Sequence, residues 1–457
     1  MSQISTTNSM SLAPAENADG KSLIDRLFFL ASVLGAMFLC VMAGLLLAVF
    51  KTTPFRWTQD AVTAATALFE HQRMLSEEFP GYMWERARFE QRGLVQLDPA
   101  TADRGYTLYT SGEGATAILL DMQGQEVHRW QAPLKKVLPN IEPNKASIPD
   151  RAILIRRAHL FPNGDLLALY ETPLWTPNGL GLAKLDRNSE LVWSFDGNCH
   201  HDFAVDEHGQ IFVLTHRLQA SPQLKHEFGG KMNIEDYVTI LSGDGKLQKE
   251  FSLLKALCDS PLFRHSITLR DDHGDVLHAN TINLVGEGFA KHHPAVKPGD
   301  LMICFRNLNL VVVVDPESES IVWATSGPWH FPHDCDPLDN GNIMIFANRY
   351  TRPNVVGSRV IEFDPTSDEI VWQFAATPER EFRSDIRSTQ QLLANGNVLI
   401  CESDAGRILE VTRGGQIAFE YVNPVRGGNQ EELIPIVAGV VRYEPDEIEF
   451  LHDLPRN

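Results

Sequence analysis

The amino-acid sequence predicts an all-β protein, a six-bladed β-propeller, with an N-terminal transmembrane helix and a short helical stalk ahead of it. Three observations predict the propeller. First, a hairpin from an acidic or small turn residue to an aromatic recurs from Asp121 to Trp130, Asp186 to Trp193, Asp315 to Trp323 and Asp364 to Trp372, with variants from Ser242 to Phe251 and Arg413 to Tyr421. Second, a turn of the Asn-Gly kind followed by an apolar strand recurs at Gly164, Gly209, Gly299, Gly341 and Gly396, and the Asn-Gly step is expected to form a two-residue hairpin because both turn positions can take positive φ. Third, the six hairpins stand 65, 57, 72, 49 and about 48 residues apart, the spacing of four-stranded blades with variable loops. A pair of β-sandwiches would bury as much surface but predicts no such repeat.

Taken in order, residues 1–22 are Ser, Thr, Asn, Ala and Met-rich without periodicity and read as a disordered tail. Residues 23–51 read as a transmembrane helix. Leu27 to Phe50 carries no charge over 24 residues, enough at about 1.5 Å per residue to span a bilayer core of roughly 30 Å. The run is long for the core of a signal peptide and ends without an Ala-x-Ala-like site, so it reads as an uncleaved single-pass anchor. Lys21 and Arg26 before it balance Lys51 and Arg56 after it, so charge does not set its orientation. Residues 52–103 read as a helical stalk: Ala61, Ala64, Leu68 and Met74 recur at helical spacing, and a second short helix is expected after Pro80-Gly81, through Gln91. The propeller is expected over 104–457, with Gly105 to Asp121 closing the ring against the apolar run Ile436 to Tyr443.

A formal charge of −19 argues against a nucleic-acid partner, since no basic face is present to neutralise phosphates. The six cysteines contain no Cys-x-x-Cys, and with Cys40 in the span the remaining five cannot all pair. No phosphate-cradling Gly-rich loop and no Gly-x-Ser-x-Gly elbow occurs, which argues against nucleotide handling and a serine hydrolase.

The inner strand of each propeller blade lines the central channel, so residues at the head of those strands ring one mouth. His333 lies eight residues before Gly341, and His201 eight before Gly209; Ser388 holds the same place before Gly396. Blade four carries an insertion, Gly286 to Lys297, and its head is expected at Leu277-His278-Ala279-Asn280, with Arg306 following on the next strand. His159 stands three positions out of this frame. Asp202 and Asp334 each follow a histidine and serve either to hold turn amides or to orient an imidazole. Three imidazoles and a guanidinium around one cavity suit the oxygens of a sulfate or phosphate group.

These residues carry a resemblance. Leu277-His278-Ala279-Asn280-Thr281-Ile282, Cys304-Phe305-Arg306-Asn307, Asp315 to Trp323, and His333-Asp334 before Asp339-Asn340-Gly341-Asn342 resemble the arylsulfate sulfotransferase family, over about residues 104–446. The resemblance implies a six-bladed propeller on the periplasmic side of a bacterial inner membrane, moving a sulfuryl group from an aryl sulfate donor to a phenolic acceptor. It implies a ping-pong route with no cofactor and no phosphoadenosine donor. By the same resemblance His333 is sulfated transiently and His201, His278 and Arg306 complete the catalytic set. Asn280, Asp334 and His159, from their places at or near the strand heads, are the substrate-binding candidates, and no metal is expected. Two other readings stay open at this point. Cys199, His201, His278, His333 and Cys335 offer ligands for zinc or copper, and a tethered propeller can bind a ligand or partner without catalysis.

Overall fold

The structure is a computed structural model describing residues 23–50, 53–143, 145–175, 177–222, 232–261 and 274–453. The tail expected at 1–22 lies outside the described residues. The chain divides into two units, Met1–Gln72 and Arg73–Asn457. In the first, helix α1 (Leu23–Val49) is exposed along almost its whole length and is long and apolar enough over Ile24–Val49 to cross a membrane, as an anchor or a signal sequence is. Helix α2 (Thr53–Ser76) follows.

The second unit is the six-bladed propeller, every neighbouring pair of strands within a blade antiparallel. Blade one combines the C-terminal strand Val437–Tyr443, innermost, with Tyr106–Ser111, Thr116–Leu120 and Glu126–Gln131. The ring therefore closes as expected, with Val441 opposite Leu108. From the channel outward, blade two runs Leu154–Leu160 to Leu191–Phe195, blade three Cys199–Val205 to Leu247–Ser252, and blade four Ala279–Leu284 to Ser320–Ser326. Blade five runs Pro332–Pro337 to Glu369–Ala375 and blade six Gln390–Leu392 to Ile417–Val422. The insertion in blade four forms a short helix, Glu287–His292.

Apolar layers fill the six wedges between neighbouring blades. Leu119, Trp130, Ile155 and Ala168 pack between blades one and two, and Cys304, Val313, Ile345 and Phe363 between blades four and five. Burial on this scale, at roughly 25 cal/mol per Å² of apolar surface, is what holds each sheet to the next.

Two local expectations are corrected. Of residues 52–103, expected to be a helical stalk, only Thr53–Ser76 is helical. In place of a second helix, Trp84–Arg86 pairs with Leu433–Pro435, and Gly93–Leu97 adds a fifth strand to the outer edge of blade six. Strand partners are at hand for both segments, and Met83 is fully buried beside them, so tertiary pairing overrides helical propensity. The Asn-Gly turns are also not two-residue hairpins. Gly341 has φ +87° while Asn340 is not left-handed, and the Gly341 N–H donates to the Leu338 carbonyl (2.9 Å). The loop thus has three residues, a type I turn closed by a left-handed glycine. Asn340 earns its place differently: its side-chain oxygen accepts the Asn342 N–H at 3.0 Å.

Candidate active site

Five of the six inner strands break register close to the head, that of blade six being regular. The pairing shifts between Ile155 and Arg157 in blade two, Cys199 and Phe203 in blade three, Ala279 and Ile282 in blade four, His333 and Cys335 in blade five, and Val437 and Gly439 in blade one. Such a bulge re-aims the side chain it carries. Non-glycine residues with left-handed backbone cluster at the same level: His201 (φ 59°), His278 (φ 51°), Asp334 (φ 47°) and Ser388 (φ 77°). Strain of this kind persists only where the surrounding fold imposes it.

The strands deliver His201, Asp334 and Ser388 to a small hollow lined also by His333, Asn280 and Arg156, among others, while His278 and Arg306 stand outside its lining. The His201 and His278 rings meet edge to face with centroids 5.0 Å apart. The Nδ1 of His278 faces Asp275 Oδ2 at 2.5 Å. Burial pushes the Asp275 carboxyl up, but the hydrogen bond and charge of His278 outweigh it and hold the carboxyl below its ordinary value, so Nδ1–H donates to a carboxylate.

His333 is 3% exposed. Burial, then the charges of Arg156, Arg306 and His278, keep its imidazole well below the ordinary value and therefore neutral at pH 7. Its Nδ1 lies 3.3 Å from the Phe331 carbonyl. A carbonyl only accepts, so Nδ1 carries the proton and Nε2 keeps its lone pair. His201 is likewise neutral, held down by burial and then by His278, His200, Arg156 and His333.

Arg306 stacks on the Phe331 ring, its guanidinium carbon 4.6 Å from the centroid. Its Nη1 donates to Asn307 Oδ1 (2.9 Å), and its buried Nε has no hydrogen-bond partner among the described residues. Such an orphaned donor suits an incoming anion. Asn280 Nδ2 donates to the Pro332 carbonyl (2.9 Å), joining blade four to blade five.

Part of the lining is a buried acidic group, in which Arg157, Asp202 and Asp334 border the hollow. Arg157 Nε sits 3.1 Å from Asp202 Oδ1, and the Gln390 N–H donates to Asp334 Oδ2 (2.7 Å). Burial pushes the Asp334 carboxyl up to about 6 and that of Asp336 well up, with Arg157 pulling both the other way. One guanidinium thus serves three carboxyl groups.

His159 stands apart from the hollow: its ring packs edge to face on Phe161 (4.8 Å), and burial, with Arg157 and Lys184, lowers it to about 4. The blade-two residue that reaches the hollow is Arg156, which lies eight residues before Gly164, in the same frame as His201 and His333. The repeat carries the signal, but the two histidines of the series, His201 and His333, direct the reading to the nearest histidine of blade two, His159. Arg156 is 4% exposed, donates through Nη1 to the Ala438 carbonyl (2.6 Å), and has its Nε 3.9 Å from Glu171 Oε2.

Among the described residues, the only group of three or more His, Cys, Asp or Glu ligand atoms within 4.8 Å of one another is His200, His216 and Asp236. The set Cys199, His201, His278, His333 and Cys335 does not assemble there as a ligand cluster. No spacing rule marks His216 or Asp236, which lie on the second and third strands of blade three.

Comparison with solved structures returns chains of low identity. A protein of unknown function from Bacteroides caccae is 12% identical, covering 73% of this chain and 99% of that one at a TM-score of 0.44. A streptogramin B lyase is 13% identical, covering 78% and 91%, at 0.39. A virginiamycin B lyase from Staphylococcus aureus is 12% identical, covering 78% and 97%, at 0.39. No curated protein matches the chain. The profile described as Arylsulfotransferase (ASST) matches residues 157–424, a stretch that carries His201, His278, Arg306 and His333 and runs from blade two to the end of blade six. With more than half its length matched, the chain belongs to the arylsulfotransferase (ASST) family.

Proposed function

We propose that the protein is a membrane-anchored aryl sulfotransferase working by a ping-pong route, with His333 as the nucleophile. The observation that carries this reading is the state of His333: a neutral imidazole whose Nδ1–H is engaged by the Phe331 carbonyl, with Nε2 making no hydrogen bond among the described residues, near Arg156, Arg306 and His278. Nε2 attacks the sulfur of an aryl sulfate, the S–O bond to the ring breaks, and a phenoxide leaves with the electron pair. The acceptor phenol then attacks the sulfohistidine and restores the imidazole. A covalent intermediate divides one transfer into two easier steps.

The transition state, like that of phosphoryl transfer, concentrates charge on peripheral oxygens. Arg306, with its unpaired Nε, and Arg156 are the cations fit to meet it, and fixed donors in a water-poor site are worth several kcal/mol each. His201 and His278 are the proton donors and acceptors for the two phenols, a role worth about 10²–10⁴-fold. Asn280 and Asp334 shape the hollow. The apolar helix α1 supports tethering, and the family supports a periplasmic face and a sulfate ester donor without a nucleotide.

The test is to incubate the purified protein with an aryl sulfate, quench, and locate the added sulfuryl mass. It is expected on His333 and absent in His333→Asn, which keeps the fold and loses turnover. Full activity in that variant, or a sulfuryl group on another residue, overturns the assignment of His333, and no turnover of an aryl sulfate with a phenol acceptor leaves a binding propeller.

A further inference from the structure

Behind His201 lies a row of buried polar groups that the transfer as written does not use. His201 Nδ1 and His200 Nδ1 are 2.8 Å apart, so one donates a proton and the other accepts it. His200 Nε2 is buried with no hydrogen-bond partner among the described residues, and Asp236 Oδ1 faces it at 3.5 Å. Asp236 Oδ2 accepts the Ala279 N–H at 2.9 Å, which anchors the carboxyl and leaves Oδ1 toward the imidazole. An orphaned buried nitrogen facing a carboxyl oxygen at the edge of bonding distance asks for an explanation.

A metal ion held by His200, His216 and Asp236 is not that explanation. The His200 and His216 rings are stacked at 4.1 Å with their planes only 8° apart, and a lone pair lies in the plane of its ring, so parallel rings do not converge on one ion. His216 Nε2 is moreover occupied as the acceptor of the Gly179 N–H (3.1 Å).

We propose that Asp236, His200 and His201 form a proton relay that makes His201 an acid in the first half of the transfer and a base in the second. This rests on the sulfotransfer reading above and names groups behind its site. With Asp236 protonated, its O–H closes on His200 Nε2, His200 Nδ1–H donates to His201 Nδ1, and His201 presents Nε2–H to the hollow. As the S–O bond breaks, the departing phenoxide takes that proton. His201 Nδ1 takes the proton of His200, His200 Nε2 takes that of Asp236, and the charge ends on the Asp236 carboxylate. When the acceptor arrives, its O–H proton enters at His201 Nε2 and the row runs backward to Asp236 as the new S–O bond forms and the N–S bond breaks.

The relay answers a difficulty of the site. A neutral imidazole is a poor acid on its own, and His201 is neutral; a proton drawn from a buried carboxyl through two imidazoles removes the need for a charged ring. Asp236 suits the task, since burial and the neighbouring Asp275 push its carboxyl well above its ordinary value. His200 and Asp236 touch no substrate and are positioning residues.

The experiment measures burst rates of wild type, Asp236→Asn and His200→Gln with two donors, 4-nitrophenyl sulfate, whose phenoxide leaves unaided, and phenyl sulfate, whose phenoxide needs a proton. In both variants the ratio of the phenyl to the nitrophenyl burst rate is expected to fall on the order of 10²-fold. A merely structural role lowers both rates together and leaves the ratio unchanged, and that result overturns the relay while the burst itself upholds sulfotransfer. If Asp236→Asn does not fold, His200→Gln decides by the same ratio. No burst in wild type with either donor overturns the sulfotransfer reading, and the relay with it.

Discussion

Arg156 and His333 line one hollow from blades two and five, and the Arg156 guanidinium is the strongest single charge acting on the His333 ring. The pairing links anion binding to the protonation of the proposed nucleophile. Arg156→Gln should slow the burst by about 10²–10³-fold, the usual loss on removing one donor to a developing anion. It should also move the acid limb of the pH–rate profile. Arg156 holds the His333 pKa down, so its removal lets that pKa rise, and the ring is protonated and inactive at a higher pH than before. A rate loss with the limb unmoved would show that Arg156 acts on substrate alone.

Arg306 is expected to act on the chemical step. Arg306→Ala should lower kcat for aryl sulfate turnover, and Arg306→Lys should restore little of it, because a point charge replaces a planar fork stacked on Phe331. An unchanged kcat in the alanine variant would remove Arg306 from the site.

Arg157 is expected to hold stability rather than chemistry. Arg157→Met leaves Asp202, Asp334 and Asp336 buried without their guanidinium, and loss of one partner of a buried pair costs about 3–5 kcal/mol. The sign with pH follows from Asp334. Its folded pKa, about 6, lies above the ordinary value, so the protonated group favours the fold at low pH and that contribution is lost as pH rises through about 6. The variant should therefore lose more at pH 8 than at pH 5 in urea titrations. An equal loss at both would mean the carboxyls do not titrate with the fold.

Gly179 is a packing test of the histidine row. A Cβ there would sit 2.6 Å from the carbonyl oxygens of Asn198 and Cys199 and 2.8 Å from His216 Nε2. Backbone cannot yield as a side-chain tip does, so Gly179→Ala should cost about 1–3 kcal/mol by thermal or urea unfolding. A variant as stable as wild type would mean the strand is free to shift.

Much of this was readable in the sequence, for physical reasons particular to each element. The blades were legible because a propeller repeats one hairpin, and left-handed turn positions admit few residues besides glycine. His201 and His333 could be placed because a fixed spacing of eight residues connects each to such a turn. Arg156 obeyed the same spacing, but a series defined by its histidines hid it and drew attention to His159. The strands at 84–97 were not legible, since their partners, Leu433–Pro435 and Ile417–Val422, lie over 300 residues away and nothing local records the pairing. His216 and Asp236 were invisible for a related reason: they meet His200 only across strands of a folded sheet.

The closure of blade one by Val437–Tyr443 sets a timetable for the chemistry. The carbonyl that holds Arg156 belongs to Ala438, on that last strand, and Arg442 is bound there to Thr107 and Glu410. A ribosome must therefore pass residue 443 before the Arg156 guanidinium has its anchor, however early the histidine-bearing blades are made. Nascent chains shorter than that carry every imidazole of the proposed site and still lack the closed strand that fixes Arg156 beside them.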